Sequence, residues 1–243
     1  MSQPWVDLRV ATYNIHRSRG LDRRTRPARI AEVIASIDPD VVALQEVIGP
    51  GLDSAGHIEE IGAALGMGWI MAPAREMRRH QFGNAVLSRY PIREHSSHDL
   101  SWKTCEPRCG QRVAVDVGGH GLLQVYNVHL GTALLERRYQ APRVAGWVHD
   151  RRVSGPKILL GDFNEWSRRG IVAASLEHRL KSVDLYGHLR RRRTYPGFFP
   201  LVHLDHIYFD GEIAVRRISL PRTRLALLAS DHLPLVADIR VRF

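Results

Sequence analysis

Apolar residues in this chain arrive in short runs, and run after run stops at an amide, a carboxylate or an imidazole. Val-Ala-Thr-Tyr stops at Asn14, Val-Ala-Leu-Gln at Glu46, Val-Tyr-Asn-Val at His129, and Ile-Leu-Leu-Gly at Asp162 with Asn164 just beyond. Leu-Val-His-Leu stops at Asp205 and His206, and Asp231 with His232 precedes Leu-Pro-Leu-Val. Short runs of this kind, bounded by Gly, Pro and polar residues, read as strands, and none approaches the ~20 apolar residues that span a bilayer. A carboxylate or imidazole at a buried strand end is costly unless it is paired, hydrogen-bonded or bound to a metal. Taken singly, each has a structural explanation: Asn14 as a turn cap, Asp162 and Asn164 as loop stabilisers, Glu46 as the partner of an arginine. Taken together they are expected to converge on one cleft.

Alternation from Asp7 to His16 predicts a strand ending near Asn14, with Val10, Thr12, Asn14 and His16 on one face. Pro27 at a first helical position, followed by Ile30, Val33, Ile34 and Ile37, predicts an amphipathic helix ending before Pro39. Val41 to Val47 reads as a buried strand in which Glu46 shares the face of Val42 and Leu44. Further helices are expected at Ile58 to Leu65, Leu134 to Arg151 and Ile171 to Leu180. Strands are expected at Trp69 to Ala72, Asn84 to Ser88, Ile92 to His95, Gln111 to Val117, Leu122 to Leu130, Lys157 to Leu160, His206 to Phe209, Ile213 to Ser219 and Leu235 to Val241. With helices and strands mixed along the whole length, no repeat and no composition shift, the expectation is one domain over residues 1 to 243. Its fold class is α/β: a four-layer αββα sandwich of two face-packed mixed sheets flanked by helices.

Composition narrows the partners. At 44% hydrophobic and 25% charged residues the chain is neither disordered nor a disulfide-stapled miniprotein. The formal net charge of +10 favours anionic partners, and lysine occurs only at positions 103, 157 and 181, so the basicity is almost all arginine, which suits bidentate phosphate contact. Cys105 and Cys109 are expected to be reduced thiols. The N-terminal residues carry neither a basic start nor an apolar signal core, so a cytoplasmic, monomeric protein without stable membrane insertion is the expectation.

The motifs Thr-Tyr-Asn-Ile-His (12 to 16), Leu-Gln-Glu-Val (44 to 47), Gly-Asn-Ala-Val-Leu-Ser-Arg-Tyr-Pro-Ile (83 to 92), Asn-Val-His-Leu (127 to 130), Gly-Asp-Phe-Asn (161 to 164), Leu-Asp-His-Ile (204 to 207) and Ser-Asp-His-Leu-Pro (230 to 234) occur in order along the chain. In that order they resemble the metal-dependent endonuclease/exonuclease/phosphatase superfamily in its compact bacterial form. The resemblance implies a Mg2+-dependent phosphoric ester hydrolase, with Mn2+ as a substitute ion. Asn14, Glu46 and Asp231 match the metal positions, and a hard cation prefers such oxygen donors. Asp162 and Asn164 match residues that orient water and touch the phosphoryl group; His129 matches a phosphate contact. Asp205 matches the partner that fixes the tautomer of His232, and His232→Ala is expected to remove turnover while leaving the fold intact. Asn84, from the fourth strand motif, is a substrate-binding candidate.

Arg190 to Arg193 run directly into Thr-Tyr-Pro-Gly-Phe-Phe-Pro, so Arg193 is a candidate to hold phosphate and Tyr195 to stack a base or lipid group. Basicity with aromatics favours a phosphodiester in nucleic acid. A phospholipid or phosphoinositide phosphoester is the alternative, and a catalytically inactive phosphate-binding module is the alternative of another class.

Overall fold

Two six-stranded mixed sheets pack face to face in the computed structural model, which describes residues 4–167, 170–183 and 193–243. The chain runs β1 (Val6–Asn14), a 3₁₀ turn (His16–Ser18), α1 (Pro27–Ile37), β2 (Val41–Gly51), α2 (His57–Leu65), β3 (Gly68–Met77) and β4 (His80–Ser88). It continues through β5 (Ile92–Asp99), β6 (Cys109–Asp116), β7 (Leu122–His129), α3 (Leu134–Val148), β8 (Lys157–Asp162), α4 (Ile171–Leu176), β9 (Lys181–Ser182) and β10 (Asp205–Asp210). It closes with β11 (Ile213–Ser219), α5 (Arg224–Ala229) and β12 (Leu235–Val241). The sandwich expected from the sequence is the observed architecture.

The strand orders are β11-β12-β1-β2-β4-β3 and β5-β6-β7-β8-β10-β9. Each sheet has a single parallel pair at its centre, β1 with β2 and β7 with β8, flanked by antiparallel neighbours. Each parallel pair is joined by a crossover helix, α1 or α3, as parallel strands require. The two halves therefore repeat a topology, although no sequence repeat accompanies it beyond Tyr-Asn-Ile-His (13 to 16) where β1 ends against Tyr-Asn-Val-His (126 to 129) where β7 ends.

Strand alternation sorts the apolar residues into three layers. Val10, Val41, Ala43, Val125, Ile158, Leu160, Ile207 and Phe209 meet between the sheets. Tyr13, Val42, Leu44 and Val47 face outward against α1 and α2, while Tyr126, Val128, Leu159 and Tyr208 face α3 and α4. The inter-sheet layer turns polar toward one edge. There the buried Gln45 donates to Asn127 Oδ1 (2.8 Å), and Asn127 Nδ2 donates to the carbonyls of Leu44 and Ala85 (3.0 Å each), tying one sheet to the other.

Several boundaries differ from expectation for local reasons. Helix α3 stops at Val148 because Asp150 accepts a hydrogen bond from the Arg152 N–H (3.0 Å) and closes a turn. Helix α4 ends at Leu176, and the chain re-enters a sheet at Lys181. The sequence reading lacks α5, whose start is marked by Thr223 accepting from the Ala226 N–H. Glu46 does not share the face of Val42 and Leu44: a bulge between Leu44 and Val47, with Glu46 in the left-handed region (φ 54°), puts Val47 on that face instead. Cys105 and Cys109 are free thiols, and burial pushes the Cys109 thiol up to about 11. No helix among the described residues is long and apolar enough to cross a membrane.

Replacing Asn127 by leucine would remove the amide that the Leu44 and Ala85 carbonyls accept from, and would leave Gln45 Nε2 with Thr12 Oγ1 (3.0 Å) and the Ala43 carbonyl (3.3 Å) alone. Unmade buried hydrogen bonds of this kind predict a loss of about 2–4 kcal/mol in urea unfolding; a loss below about 1 kcal/mol would show that the amide strut is dispensable.

Candidate active site

Asp162 closes β8 between the sheets, and three side chains and one backbone N–H meet at its carboxylate. Asn14, at the end of β1, donates from Nδ2 to Asp162 Oδ2 (3.0 Å). His129 Nε2, from β7, lies 3.5 Å from the same oxygen, and His232 Nε2, after α5, lies 3.6 Å from it. The backbone N–H of Asn164 donates to Asp162 Oδ1 (2.9 Å), with Asn164 itself in the left-handed region (φ 52°). Gly161 makes this approach possible: its φ is 150°, and a Cβ there would fall 1.9 Å from the Val128 carbonyl oxygen. Only glycine lets β8 lie so close to β7 at this point.

His232 bridges two carboxylates. Its Nδ1 donates to Asp205 Oδ2 (2.9 Å), which begins β10 directly opposite Asp162 in the register. Burial works to lower the imidazole, but the charges of Asp205 and Asp162 and the hydrogen bond that Asp205 accepts outweigh it and hold His232 up at about 10. Burial likewise pushes Asp162 up, to about 6, against the opposing pull of His232 and of the Asn14 and Asn164 hydrogen bonds. His129 goes the other way: burial, then the Arg108 guanidinium and His232, push it well below its ordinary value. Arg108 donates to His129 Nδ1 (3.0 Å), so the neutral ring carries its proton on Nε2, toward Asp162.

Glu46 stands on the rim of this cluster. Its Oε1 is 3.4 Å from Asn14 Nδ2 and its Oε2 is 3.7 Å from Arg17 Nε, so the carboxylate has no tight partner of its own. Arg17 donates to His16 Nε2 (2.6 Å), and His16 Nδ1 lies 3.6 Å from Asp231 Oδ1. The His16–Arg17 turn thus stands between Glu46 and Asp231, and His16, Arg17 and Ser18 in it all have positive φ. Asn14 Oδ1 accepts from the His16 N–H (3.0 Å), and Ser230 Oγ donates to the Asn14 carbonyl (2.8 Å), fixing the loops from both sides.

The Glu46 carboxylate, held only by long contacts, suits a hard divalent cation, and no thiolate competes there; Asn14 turns its Nδ2 toward Glu46 and its Oδ1 to the His16 N–H, so its amide must turn over to add a second oxygen. Asp162, Asp205 and His232 also lie within 4.8 Å of one another through potential ligand atoms, and all three are buried. That trio is a poorer cradle, because both His232 ring nitrogens already face carboxylates and an imidazolium has no lone pair to give.

The remaining sequence candidates divide. Tyr195 packs its ring 5.0 Å from that of His232, and its segment is anchored there by the Leu233 N–H donating to the Thr194 carbonyl (2.9 Å). Arg193 is exposed at the margin; Arg190 to Arg192, and Arg168 with Arg169, lie outside the described residues. Asn84 is buried beside Glu46, Arg108 and His129, but its Nδ2 donates to the Cys109 carbonyl (2.8 Å), so it braces the two sheets and has only an acceptor to offer a phosphate. The Asn164 Nδ2 similarly donates to the Leu130 carbonyl (2.9 Å). His206 turns to the opposite face of β10, against Phe163 and Tyr208, with Nε2 3.0 Å from the Glu165 carbonyl. Sequence reasoning misses Arg108, in an irregular loop without periodicity, and Asn127, which is on the same inward face as His129 and is legible by alternation.

Comparison with known proteins gives this arrangement a context. The sequence profile of the Endonuclease/Exonuclease/phosphatase family matches residues 11–232. The uncharacterized protein YbhP of Escherichia coli strain K12 is 30% identical over 247 aligned positions, covering 96% of each chain. Among solved structures, an endonuclease/exonuclease/phosphatase from Bacteroides vulgatus superposes with a TM-score of 0.82 at 19% identity, covering 98% of this chain and 100% of that one. The mannosyl-6-phosphatase Bt3783 of Bacteroides thetaiotaomicron has a TM-score of 0.76 at 21% identity (96% and 99%). D. rerio TDP2 complexed with a single-strand DNA product has 0.77 at 17% (96% and 98%). The chain belongs to the endonuclease/exonuclease/phosphatase family, whose members hydrolyse phosphoesters.

Proposed function

We propose that this protein is a Mg2+-dependent phosphodiesterase that acts on nucleic acid. The observation that carries the hydrolytic part is the buried Asp162 carboxylate meeting Asn14, His129 and the Asp205-bound His232 at one point, beside the loosely held carboxylate of Glu46. Glu46 would hold the cation, with the Asn14 amide oxygen, once turned toward it, and Asp231 across the His16–Arg17 turn as further donors; the cation would polarise a phosphoryl oxygen and offset developing negative charge. Asp162, pushed up to about 6, suits taking a proton from the attacking water. His232, an imidazolium locked by Asp205, suits donating to a phosphoryl oxygen, and the Nε2–H of His129 is a second donor on the same side. Tyr195 flanks His232, and the strongly basic surface supports a polyanionic substrate; the fold is shared with a protein seen with a single-strand DNA product.

One observation favours a second reading. Leu134, Leu135, Trp166, Phe198 and Phe199 are all exposed on segments that adjoin the cleft-forming strand ends, and such a rim suits a lipid phosphodiester. The experiment is a hydrolysis panel with and without Mg2+: single-stranded DNA and RNA, plasmid, anionic phospholipid vesicles and sugar phosphates. Turnover of nucleic acid that EDTA abolishes and Mg2+ restores is the expected result; turnover confined to vesicles establishes the second reading, and no metal-dependent turnover of any substrate refutes both.

Glu46→Ala is expected to lower kcat by about 10²–10³-fold with little change in Tm, since Glu46 makes only long contacts. His232→Ala is a poor probe, because it strands the fully buried Asp205 and costs stability as well as activity. His232→Gln, which keeps a donor for Asp205, is expected to fold and to lose about 10²–10⁴-fold in kcat. Near-normal turnover in a folded His232→Gln protein would remove His232 from the chemistry.

A further inference from the structure

Beside Glu46, on the far side of Arg17, lies a cavity of about 780 Å³ in which four arginines meet over an apolar floor of Ile48, Ala55 and Met77. Arg17, Arg19, Arg23 and Arg78 line it together with His57 and His80, and no acidic side chain does. Elsewhere Arg9, Arg29, Arg75, Arg89, Arg93, Arg108, Arg112 and Arg152 each hold a carboxylate. Arg19, Arg23 and Arg78 form no ion pair among the described residues. Asp22, next to Arg23 in sequence, is committed to Arg29, and Asp53 to Arg79.

Keeping unpaired guanidinium groups around one cavity costs stability through mutual repulsion. The backbone adds to the cost: Arg17, Arg23 and Arg78 all stand in the left-handed region (φ 57°, 62° and 50°), where long side chains are uncommon. The His57 Nδ1 is buried without a hydrogen-bond partner. Arg17 is the link to the reaction centre, with its Nε 3.7 Å from Glu46 Oε2. The cavity therefore adjoins the place where a phosphate held near Glu46 would stand.

We propose that the cavity is a second phosphate subsite, which grips a phosphate of the nucleic-acid strand adjacent to the one cleaved, with Arg19, Arg23 and Arg78 as its ligands and Arg17 as the wall between the two positions. The subsite sets both the polarity with which a strand lies across the cleft and the preference for substrates with more than one phosphate. It rests on the phosphodiester reading, but its test is binding without turnover, so a chain that binds through the cavity and hydrolyses nothing would refute that reading alone.

The test measures binding of a fluorescein-labelled eight-nucleotide deoxythymidine strand by anisotropy in EDTA across a salt series. The subject is the triple variant Arg19→Ala, Arg23→Ala, Arg78→Ala; the control, Arg151→Ala, Arg216→Ala, Arg217→Ala, removes the same charge from exposed positions outside the cavity. Losing the contact with that one phosphate should flatten the slope of log K against log salt by about 0.7 and weaken binding by at least about tenfold at low salt, whereas the control stays near wild type. Equal losses in the two variants, or none in either, would overturn the proposal. So would a cavity variant that loses competition by inorganic pyrophosphate while binding the strand as wild type does, since the cavity would then serve a small bisphosphate.

Discussion

The Asp162 carboxylate is the constraint on which the site depends. It is buried between two sheets where an uncompensated charge would be prohibitive, and its stability in that position comes from the Asn14 amide, the Asn164 backbone N–H and the nearby imidazolium of His232. Each of those partners belongs to a different strand or loop, so satisfying one carboxylate fixes the relative position of β1, β8 and the segment after α5. His232 in turn satisfies Asp205, and Asp205 sits opposite Asp162 across β10 and β8. Folding the sandwich and assembling the reactive cluster are the same event.

The repeated topology explains where the cluster forms. Each sheet presents the end of its central parallel pair to the same edge, Asn14 and Glu46 from one, His129 and Asp162 from the other. The inward faces of these strands begin as Val, Ile and Leu and finish as Thr12, Asn14, Gln45, Asn127, His129 and Asp162. A core that turns polar along its length would be unstable if its polar end were dry and unpaired. Here it is cross-linked by amide hydrogen bonds below and opens onto the cleft above.

Much of this is legible in the sequence. Alternation alone assigns Asn14, His129 and Asp162 to the faces of their apolar neighbours, and the polar strand ends point to one pocket because nothing else would satisfy them together. What the sequence hides is set by nonlocal geometry. The bulge that turns Glu46 away from the Val42–Leu44 face depends on pairing with β4, which no periodicity in β2 encodes. Arg108 reaches His129 from a loop whose path is fixed by the sheets around it, and the strut role of Asn84 appears only once Cys109 is beside it. The arginine cavity joins Arg19 and Arg23 to Arg78 across more than fifty residues of chain, so composition shows the charge but not its convergence.

The central claim is that a divalent cation belongs at Glu46, with His232 held between Asp162 and Asp205 as a proton-bearing group. A crystal soaked in Mn2+ and measured at the manganese edge tests it most directly. The expected result is an anomalous peak at about 2.0–2.3 Å from a Glu46 carboxylate oxygen, with the His232 Nδ1 still on Asp205. A peak cradled by Asp162, Asp205 and His232, with none at Glu46, would contradict the claim and reassign the imidazole from proton carrier to metal ligand.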